Sequence, residues 1–131
     1  SSDDNALLRN VVSTIHKYGV KVSLFIDPDF KMIECARDCG VDRIELYTGK
    51  YAKNYLDNKD TSAFEYIKAS EYAVSNGLQV NAGHDLDLNN LKFLKDSLSN
   101  LFEVSIGHAL ISDALYYGLE KTIKMYLNEL K

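Results

Sequence analysis

Short β-strand patterns alternate with amphipathic helix patterns along this chain, and that alternation restricts its possible folds most strongly. Four strands are predicted, at residues 20–26, 43–47, 78–82 and 102–106. Helices are predicted at residues 4–18, 28–39, 60–76 and 88–98, followed by two closing helical segments that meet near Gly118, with a loop over residues 48–59. Strands that alternate with helices form a parallel sheet with right-handed connections. The sequence therefore predicts an α/β fold of consecutive strand–helix units.

Each predicted strand has one apolar face and one polar or small face. The apolar faces comprise Val20, Val22, Leu24 and Ile26; Ile44 and Leu46; Leu78, Val80 and Ala82; and Phe102, Val104 and Ile106. The opposite faces include Arg43, Glu45, Asn81 and Glu103, for which we expect either a paired polar network or solvent exposure at the bottom of the barrel. A doubly wound sheet needs central strands that are apolar on both faces, whereas a barrel strand needs one apolar face toward the surrounding helices. The pattern favours a barrel wall, and an open sheet with one solvated face is the alternative.

A (β/α)8 TIM barrel needs eight strand–helix units and typically about 250 residues. The 131-residue chain contains four such units and shows no linker or second domain. We therefore expect residues 1–131 to form a single half-barrel domain, the C-terminal half of a barrel whose other half precedes Ser1.

Composition and charge argue against several classes of protein. The formal net charge of −4 and the pI near 5.3 differ from the clustered basic surface of a nucleic-acid-binding domain. No run of 18 or more apolar residues is present, so no membrane span is predicted, and the N-terminal residues lack the pattern of a signal peptide. Cys35 and Cys39 share one helix face, where we expect two buried, reduced thiols, as in a cytoplasmic protein.

The candidate site lies where the predicted strands end, because barrel active sites form in the loops that follow the strands. His84 and His108 each follow a glycine directly after two consecutive strands, and Gly107 leads into a helix. Glycine permits close backbone approach, and exposed N–H groups at a helix start attract anions, so we expect a phosphate-bearing substrate. His84 could act as a general acid or base. Turn formation by the glycines and a turn-capping role for His84 are the alternatives. The nearby acidic residues match no strong metal motif, and no metal site is predicted.

Four segments of the chain resemble a known family. The last four strand regions of pyridoxine 5'-phosphate synthase are similar, in order and spacing, to VSLFIDPD, DRIELYTGKYA, GLQVNAGHDLDLNN and EVSIGHALISDALYYGLEKTIKMY. The resemblance implies a (β/α)8 enzyme of vitamin B6 biosynthesis. Such an enzyme condenses 1-deoxy-D-xylulose 5-phosphate with 3-amino-2-oxopropyl phosphate to pyridoxine 5'-phosphate, phosphate and water. The resemblance also implies a homo-octamer and a reaction without a redox cofactor or an obligatory metal.

The same resemblance implies roles for individual residues. His84 matches the histidine that donates a proton late in ring formation, and position 85, here Asp85, matches a substrate contact. The pair formed by Gly107 and His108 matches the pair that binds substrate phosphate. Within the strand region that resembles the family pattern IELHTG, we take Glu45 and Thr48 as candidate supporting residues.

Two departures from the family pattern and one absence bear on function. The family usually has glycine at the position of Asp85 and histidine at the position of Tyr47, and a carboxylate at position 85 would repel phosphate unless it turns away. The family's N-terminal half supplies an Asn-Ile-Asp-His segment, further histidines and arginines, and a catalytic glutamate, none of which has a match here. The isolated chain is therefore expected to be inactive without its missing N-terminal barrel half. A non-catalytic anion-binding or interaction domain, or another phosphate-handling TIM-barrel enzyme, is the alternative.

Overall fold

A computed structural model of the chain describes residues 2–131, with side chains described from Asn5 onward. Its elements are α1 (Ser2–His16), β1 (Ser23–Ile26), α2 (Phe30–Asp38), β2 (Arg43–Tyr47), α3 (Gly49–Asn54), α4 (Lys59–Ser75), β3 (Gln79–Gly83), α5 (Leu91–Ser97), β4 (Leu101–Ser105), α6 (His108–Tyr117) and α7 (Leu119–Glu129). The predicted alternation of strands and helices is confirmed, and β2 has the predicted bounds. Among the described residues, no helix is long and apolar enough to cross a membrane.

The four strands form one parallel sheet in the order β1-β2-β3-β4. Because each strand adds on the same side of the one before it, right-handed connections place the intervening helices on one face of the sheet. Ile44, Leu46, Val80 and Ala82 belong to that face and are fully buried. On the opposite face Phe25 is 56% exposed. The chain is thus an α/β fold with helices on one side of a parallel sheet, as in half of a (β/α)8 barrel.

The core lies between the sheet and its helices. The helices contribute buried side chains at spacings of three or four residues, which form one apolar stripe on each helix. These side chains include Ile33 and Ala36 of α2, Tyr66, Ala69 and Ala73 of α4, and Leu91 and Leu94 of α5. Full burial of a leucine or isoleucine contributes roughly 1.5–3 kcal/mol. This layer is therefore the main stabilising contact between the helices and the sheet.

The uncovered face of the sheet carries the expected polar network in part. The guanidinium of Arg43 donates from Nε to Gln79 at 2.8 Å, and its Nη1 lies 3.4 Å from a carboxylate oxygen of Glu103. Asn81 sits between Glu45 and Glu103 in the sheet register and is 3% exposed, yet its Oδ1 has no hydrogen-bond partner among the described residues. The network thus forms around Arg43 and does not extend to Asn81.

The prediction of a loop over residues 48–59 is wrong, because α3 (Gly49–Asn54) occupies the first half of that segment. Tyr51 explains the helix: its ring is fully buried, its N–H donates to the Tyr66 hydroxyl, and its own hydroxyl donates to the carbonyl of Asn90 at 2.6 Å. A helix of six residues is too short to be stable alone or to show a period. These tertiary contacts therefore stabilise α3.

The prediction that Phe102 shares the apolar face of its strand is also wrong. Leu101 pairs with Val80 and Glu103 pairs with Asn81, so Phe102 is the extra residue of a β-bulge. Its ring is 56% exposed and lies 4.7 Å from the guanidinium carbon of Arg43. Strand β1 also begins three residues later than predicted, at Ser23.

The predicted burial of both cysteines is confirmed for one and wrong for the other. Cys39 is 4% exposed, whereas Cys35 is exposed. Both sulfur atoms do face α1, at 3.9 and 4.0 Å from atoms of Asn5. The shared helix face was therefore predictable, but Cys35 lies at the rim of the contact between α1 and α2.

Candidate active site

The turn that follows β3 has an unusual backbone. His84 and Asp85, two residues with side chains, adopt successive positive φ angles of 95° and 55°. Residues other than glycine seldom adopt such angles, and each costs of order 1–3 kcal/mol unless the surroundings impose it. Strain of this kind concentrates at functional sites. The turn that carries the sequence-predicted catalytic residue is therefore the strained one.

Hydrogen bonds to main-chain carbonyls hold this turn. The buried Thr48, at the end of β2, donates from its hydroxyl to the His84 carbonyl at 2.6 Å. Its backbone N–H donates to the Gly83 carbonyl at 2.9 Å. Asn90, which precedes α5, donates from Nδ2 to the Asp85 carbonyl at 3.1 Å. The turn is thus connected to both neighbouring segments.

The structure brings His84, Asp85 and His108 together at the carboxyl ends of β3 and β4. One carboxylate oxygen of Asp85 lies 3.1 Å from Nδ1 of His84, and the other lies 3.7 Å from Nε2 of His108. The side chain of His84 is 48% exposed and that of His108 is 79% exposed. An incoming ligand can therefore reach both imidazoles, and in its absence Asp85 is their shared anionic neighbour.

Gly107 begins α6 with an open backbone. It has φ −101° and ψ −109°, and no described side chain caps the helix. A Cβ added at Gly107 would meet nothing within 4 Å. The start of α6 is therefore uncapped by side chains and unobstructed at Gly107, and together with the positive end of the helix dipole this arrangement suits an anion.

Lys53 is a candidate binding residue that the sequence analysis missed. It lines a groove together with Asp85, Asp87, Asn90, His108 and Ala109. Lys53 lies in α3, where the sequence predicts a loop, and a loop prediction does not indicate in which direction the Lys53 side chain extends. The one sequence signal for this helix was the i, i+4 spacing of Tyr51 and Tyr55, which would place both rings on one helix face. An ammonium group at this groove would help neutralise a phosphate.

The side chains of Glu45 and Tyr47 extend from the uncovered face of β2 toward the end of β3, Glu45 against Gly83 and Tyr47 against His84. The carboxylate of Glu45 occupies the space where a side chain at Gly83 would project, and the Cβ of Ser105 closes the other side. The ring of Tyr47 meets the imidazole of His84 edge-on, with centroids 4.6 Å apart. Both candidate supporting residues, Glu45 and Thr48, thus contact the β3 turn.

The arginines of the chain lie away from this site. Arg9 donates to the Asp38 carbonyl, and Arg37 is paired with Asp38 on the outer helical layer. Arg43 begins β2, at the opposite end of the sheet from His84. Among the side chains of residues 5–131 there is also no group of three or more His, Cys, Asp or Glu placed to hold a metal ion. The groups at the site that can donate a hydrogen bond to an anion are therefore the two imidazoles, Lys53 and the α6 terminus.

His16, the third histidine, has a structural role. Its Nε2 lies 2.8 Å from the carboxylate of Asp42, which also accepts from the Val22 N–H at 2.8 Å. These two hydrogen bonds, first that from Val22 and then that from His16, lower the pKa of Asp42. The pair connects the end of α1 to the segments before β1 and β2, far from His84.

Comparison with known proteins identifies the family of the chain. The chain matches the family described as "Pyridoxal phosphate biosynthesis protein PdxJ" over residues 2–131. It is 54% identical to the pyridoxine 5'-phosphate synthase of Cytophaga hutchinsonii, over 96% of this chain and 53% of that protein. It is 50% identical to the namesake proteins of Flavobacterium johnsoniae and Porphyromonas gingivalis, over 95% and 94% of this chain and 52% of each relative.

The chain spans about half the length of the curated relatives it matches. Four parallel strand–helix units in half the length of those relatives agree with the half-barrel interpretation. The resemblance inferred from the strand-end motifs is confirmed, and the chain belongs to the pyridoxal phosphate biosynthesis protein PdxJ family.

Proposed function

We propose that this chain supplies the phosphate site and one proton-transfer histidine of a pyridoxine 5'-phosphate synthase. The reaction condenses 1-deoxy-D-xylulose 5-phosphate with 3-amino-2-oxopropyl phosphate and releases phosphate and water. The observation that carries the proposal is the convergence of His84 and His108, from adjacent strand ends, beside the open N-terminus of α6. Family membership supports the same reaction.

The phosphate of a substrate would bind at the start of α6. The backbone N–H groups that follow Gly107 are free of side-chain caps, and His108 and Lys53 flank the groove beside them. Hydrogen bonds from N–H groups and from cationic side chains to phosphate oxygens are stronger than neutral ones. Asp85 opposes this binding while its carboxylate faces the groove, so the carboxylate must turn toward the imidazoles or away from the anion.

His84 would transfer the proton. Its ring is held against Tyr47, and its Nδ1 is directed at Asp85, so one ring nitrogen has a fixed partner while the other remains available to a substrate. An imidazole can give or take a proton near neutral pH, which suits the dehydration steps of ring formation. Glu45, on the neighbouring strand, has its carboxylate against Gly83, the residue before His84, and is the candidate supporting group.

The remaining catalytic groups would come from a second half of the barrel. The uncovered sheet face, with Phe25 and Phe102 each 56% exposed, is where that half would pack. We further propose that the complete protein is a homo-octamer, as the family resemblance implies. Light scattering of the complete protein gives the subunit number, and a stable monomer would refute this part.

The test joins this chain to the part of the Cytophaga hutchinsonii relative that lies outside the matched region, to give a chimera of full family length. With both substrates, the chimera should form pyridoxine 5'-phosphate, and residues 1–131 alone should form none. Product from the isolated chain would contradict the proposal that the second half of the barrel supplies the remaining catalytic groups. A folded chimera that binds inorganic phosphate and makes no product would instead support the non-catalytic anion-binding alternative.

A further inference from the structure

Two residues next to the candidate site precede helices that their side chains do not cap. Thr48 and Asn90 each stand directly before a short helix, where threonine and asparagine ordinarily cap the helix with their side-chain oxygen. Neither caps its helix here. Both instead direct a donor to the β3 turn, toward the carbonyls of His84 and Asp85. Two residues from different segments thus donate side-chain hydrogen bonds to successive carbonyls of one strained turn.

Thr48 is placed to control the first carbonyl. It is fully buried, and its 2.6 Å hydroxyl bond to the His84 carbonyl accompanies a 2.9 Å bond from its N–H to the Gly83 carbonyl. The second of these bonds extends the pairing of β2 with β3 by one residue. The first fixes the orientation of the peptide group that follows His84, which is the group that must rotate if φ of Asp85 relaxes from 55°.

Asn90 is placed to control the second carbonyl. It is 5% exposed, so its amide group is held by protein contacts alone. Its Nδ2 donates to the Asp85 carbonyl at 3.1 Å, and its Oδ1 accepts from the Asp87 N–H at 3.0 Å. One amide group therefore closes the turn on both sides of Leu86, which is itself buried.

Buried tyrosines fix the two anchors relative to each other. The Tyr51 hydroxyl donates to the Asn90 carbonyl at 2.6 Å, and the Tyr66 hydroxyl donates to the Tyr47 carbonyl at 2.9 Å. The Tyr51 N–H in turn donates to the Tyr66 hydroxyl. Burial raises the pKa of Tyr66 to about 12 and raises that of Tyr51 as well, so both phenols remain protonated donors at neutral pH.

We infer that Thr48 and Asn90 are positioning residues, which hold His84 and Asp85 in successive left-handed conformations so that the His84 imidazole is aimed at the substrate. The inference rests on the proposed function for its catalytic consequence. Its structural part, the orientation of the His84 ring against Tyr47, stands independently of the reaction. A misplacement of about 1 Å in a reacting group can lower a rate by about 100-fold.

The first test uses Thr48→Val, which keeps the shape of the side chain and removes the hydroxyl, with Thr48→Ser as the matched control that retains it. In the chimera, Thr48→Val should lower kcat by about 10- to 100-fold and leave KM within about twofold, because phosphate binds at α6. Thr48→Ser should retain kcat within about threefold. Equal kcat in Thr48→Val and the unsubstituted chimera would overturn the inference, as would an equal loss in both variants.

The second test uses Asn90→Asp, which removes the donor to the Asp85 carbonyl, with Asn89→Asp as the control. The Asn89 side chain is exposed and its only hydrogen bond among the described residues is a 3.4 Å contact with the Asp87 carboxylate, so Asn89→Asp adds the same charge one residue away and leaves the donor to the Asp85 carbonyl in place. Asn90→Asp should lower kcat by about 10-fold or more, and Asn89→Asp should change it by less than about twofold. This pair decides the question if Thr48→Val does not fold.

A spectroscopic readout separates this inference from the proposed reaction. The imidazole protons of His84 lie in the ring-current field of Tyr47, 4.6 Å away between centroids, so their NMR resonance reports the orientation of the turn. The resonance is assigned by its loss in His84→Asn. In Thr48→Val and Asn90→Asp it should move toward the position of an exposed histidine, and in both controls it should stay. If these shifts occur and the unsubstituted chimera makes no product, the proposed function is contradicted and the positioning role is supported. If the resonance does not move in either variant, the positioning role itself is contradicted.

Discussion

The turns that follow β3 and β4 look alike in sequence and differ in structure. Each is a glycine followed by a histidine at a strand end, as Gly83-His84 and Gly107-His108. The β3 turn is strained, hydrogen-bonded to its neighbours and packed against Tyr47. The β4 turn has an ordinary φ, no side-chain cap and open space around its glycine. One motif thus has two different surroundings: a fixed imidazole after β3, for which we propose proton transfer, and an open helix start after β4, for which we propose anion binding.

Replacement of each histidine by asparagine is the strongest test of the proposed difference between the two turns. In the chimera, His84→Asn should lower kcat by about 100-fold or more, because a positioned acid–base group contributes roughly 10²–10⁴-fold. His108→Asn should mainly raise KM, because it removes a donor to phosphate and leaves the proton-transfer group in place. Steady-state kinetics on both variants measures the split. A His84→Asn enzyme with normal kcat and a greatly raised KM would reverse the assignment.

Alanine at each glycine tests the steric side of the comparison. A methyl group at Gly83 would collide with the Glu45 carboxylate and press on Ser105, so Gly83→Ala should lower the free energy of unfolding by about 1–2 kcal/mol. At Gly107 an added methyl group meets no atom within 4 Å, so Gly107→Ala should lower the free energy of unfolding by less than Gly83→Ala does. Urea unfolding of the two variants gives both values. Equal losses would show that the two turns are equally crowded.

Substitution of Asp85 tests how the two turns interact. Asp85→Gly removes a carboxylate that faces both imidazoles and tolerates the φ of 55°, so inorganic phosphate should bind about fivefold more tightly. Two unit charges about 4 Å apart in water interact with an energy of about 1 kcal/mol, which corresponds to about a fivefold change in the dissociation constant. Isothermal titration with phosphate measures the change.

Asp85→Asn is the control for that experiment, because asparagine also tolerates a positive φ but carries no charge. If charge is the cause, the two variants should bind phosphate equally tightly. Weaker binding in both would mean that Asp85 assists the anion through its contacts with the histidines, and would contradict the repulsion expected from the sequence.

The pair of His16 and Asp42 provides a structural reference for the pair of His84 and Asp85. The pKa of Asp42 is lowered in the folded protein, so its carboxylate contributes stability that is present above the unfolded pKa of about 3.9 and is lost as the pH falls through the folded value. Asp42→Asn should lower the free energy of unfolding by about 1 kcal/mol at pH 6. The difference from the parent should shrink as the pH falls from about 5 to 3.

Denaturant curves at several pH values measure that difference. Asp85→Asn removes a carboxylate whose ion pairs with His84 and His108 are exposed, so it should change stability at pH 6 by less than about 0.5 kcal/mol. A constant difference between the parent and Asp42→Asn across this pH range would show that the carboxylate charge of Asp42 plays no part in stability.

The sequence by itself determined the elements whose signals are periodic and local. Strand β2 has the predicted bounds because Ile44 and Leu46 alternate with polar neighbours between two clear helix patterns. The meeting of His84 with His108 was also predictable, since the ends of consecutive parallel strands lie side by side. Family membership followed from the same strand-end segments.

Only the tertiary structure decided the features that depend on distant partners. Helix α3 exists because Tyr51 reaches Tyr66 and Asn90, and with it Lys53 is brought to the groove. The bulge at Phe102 and the exposure of Cys35 arise where elements meet at an edge, which no local pattern encodes. The left-handed turn of His84 and Asp85 is the clearest case. Most residues other than glycine seldom adopt such angles, and this turn is held by hydrogen bonds from Thr48, 36 residues before His84, and from Asn90, 5 residues after Asp85.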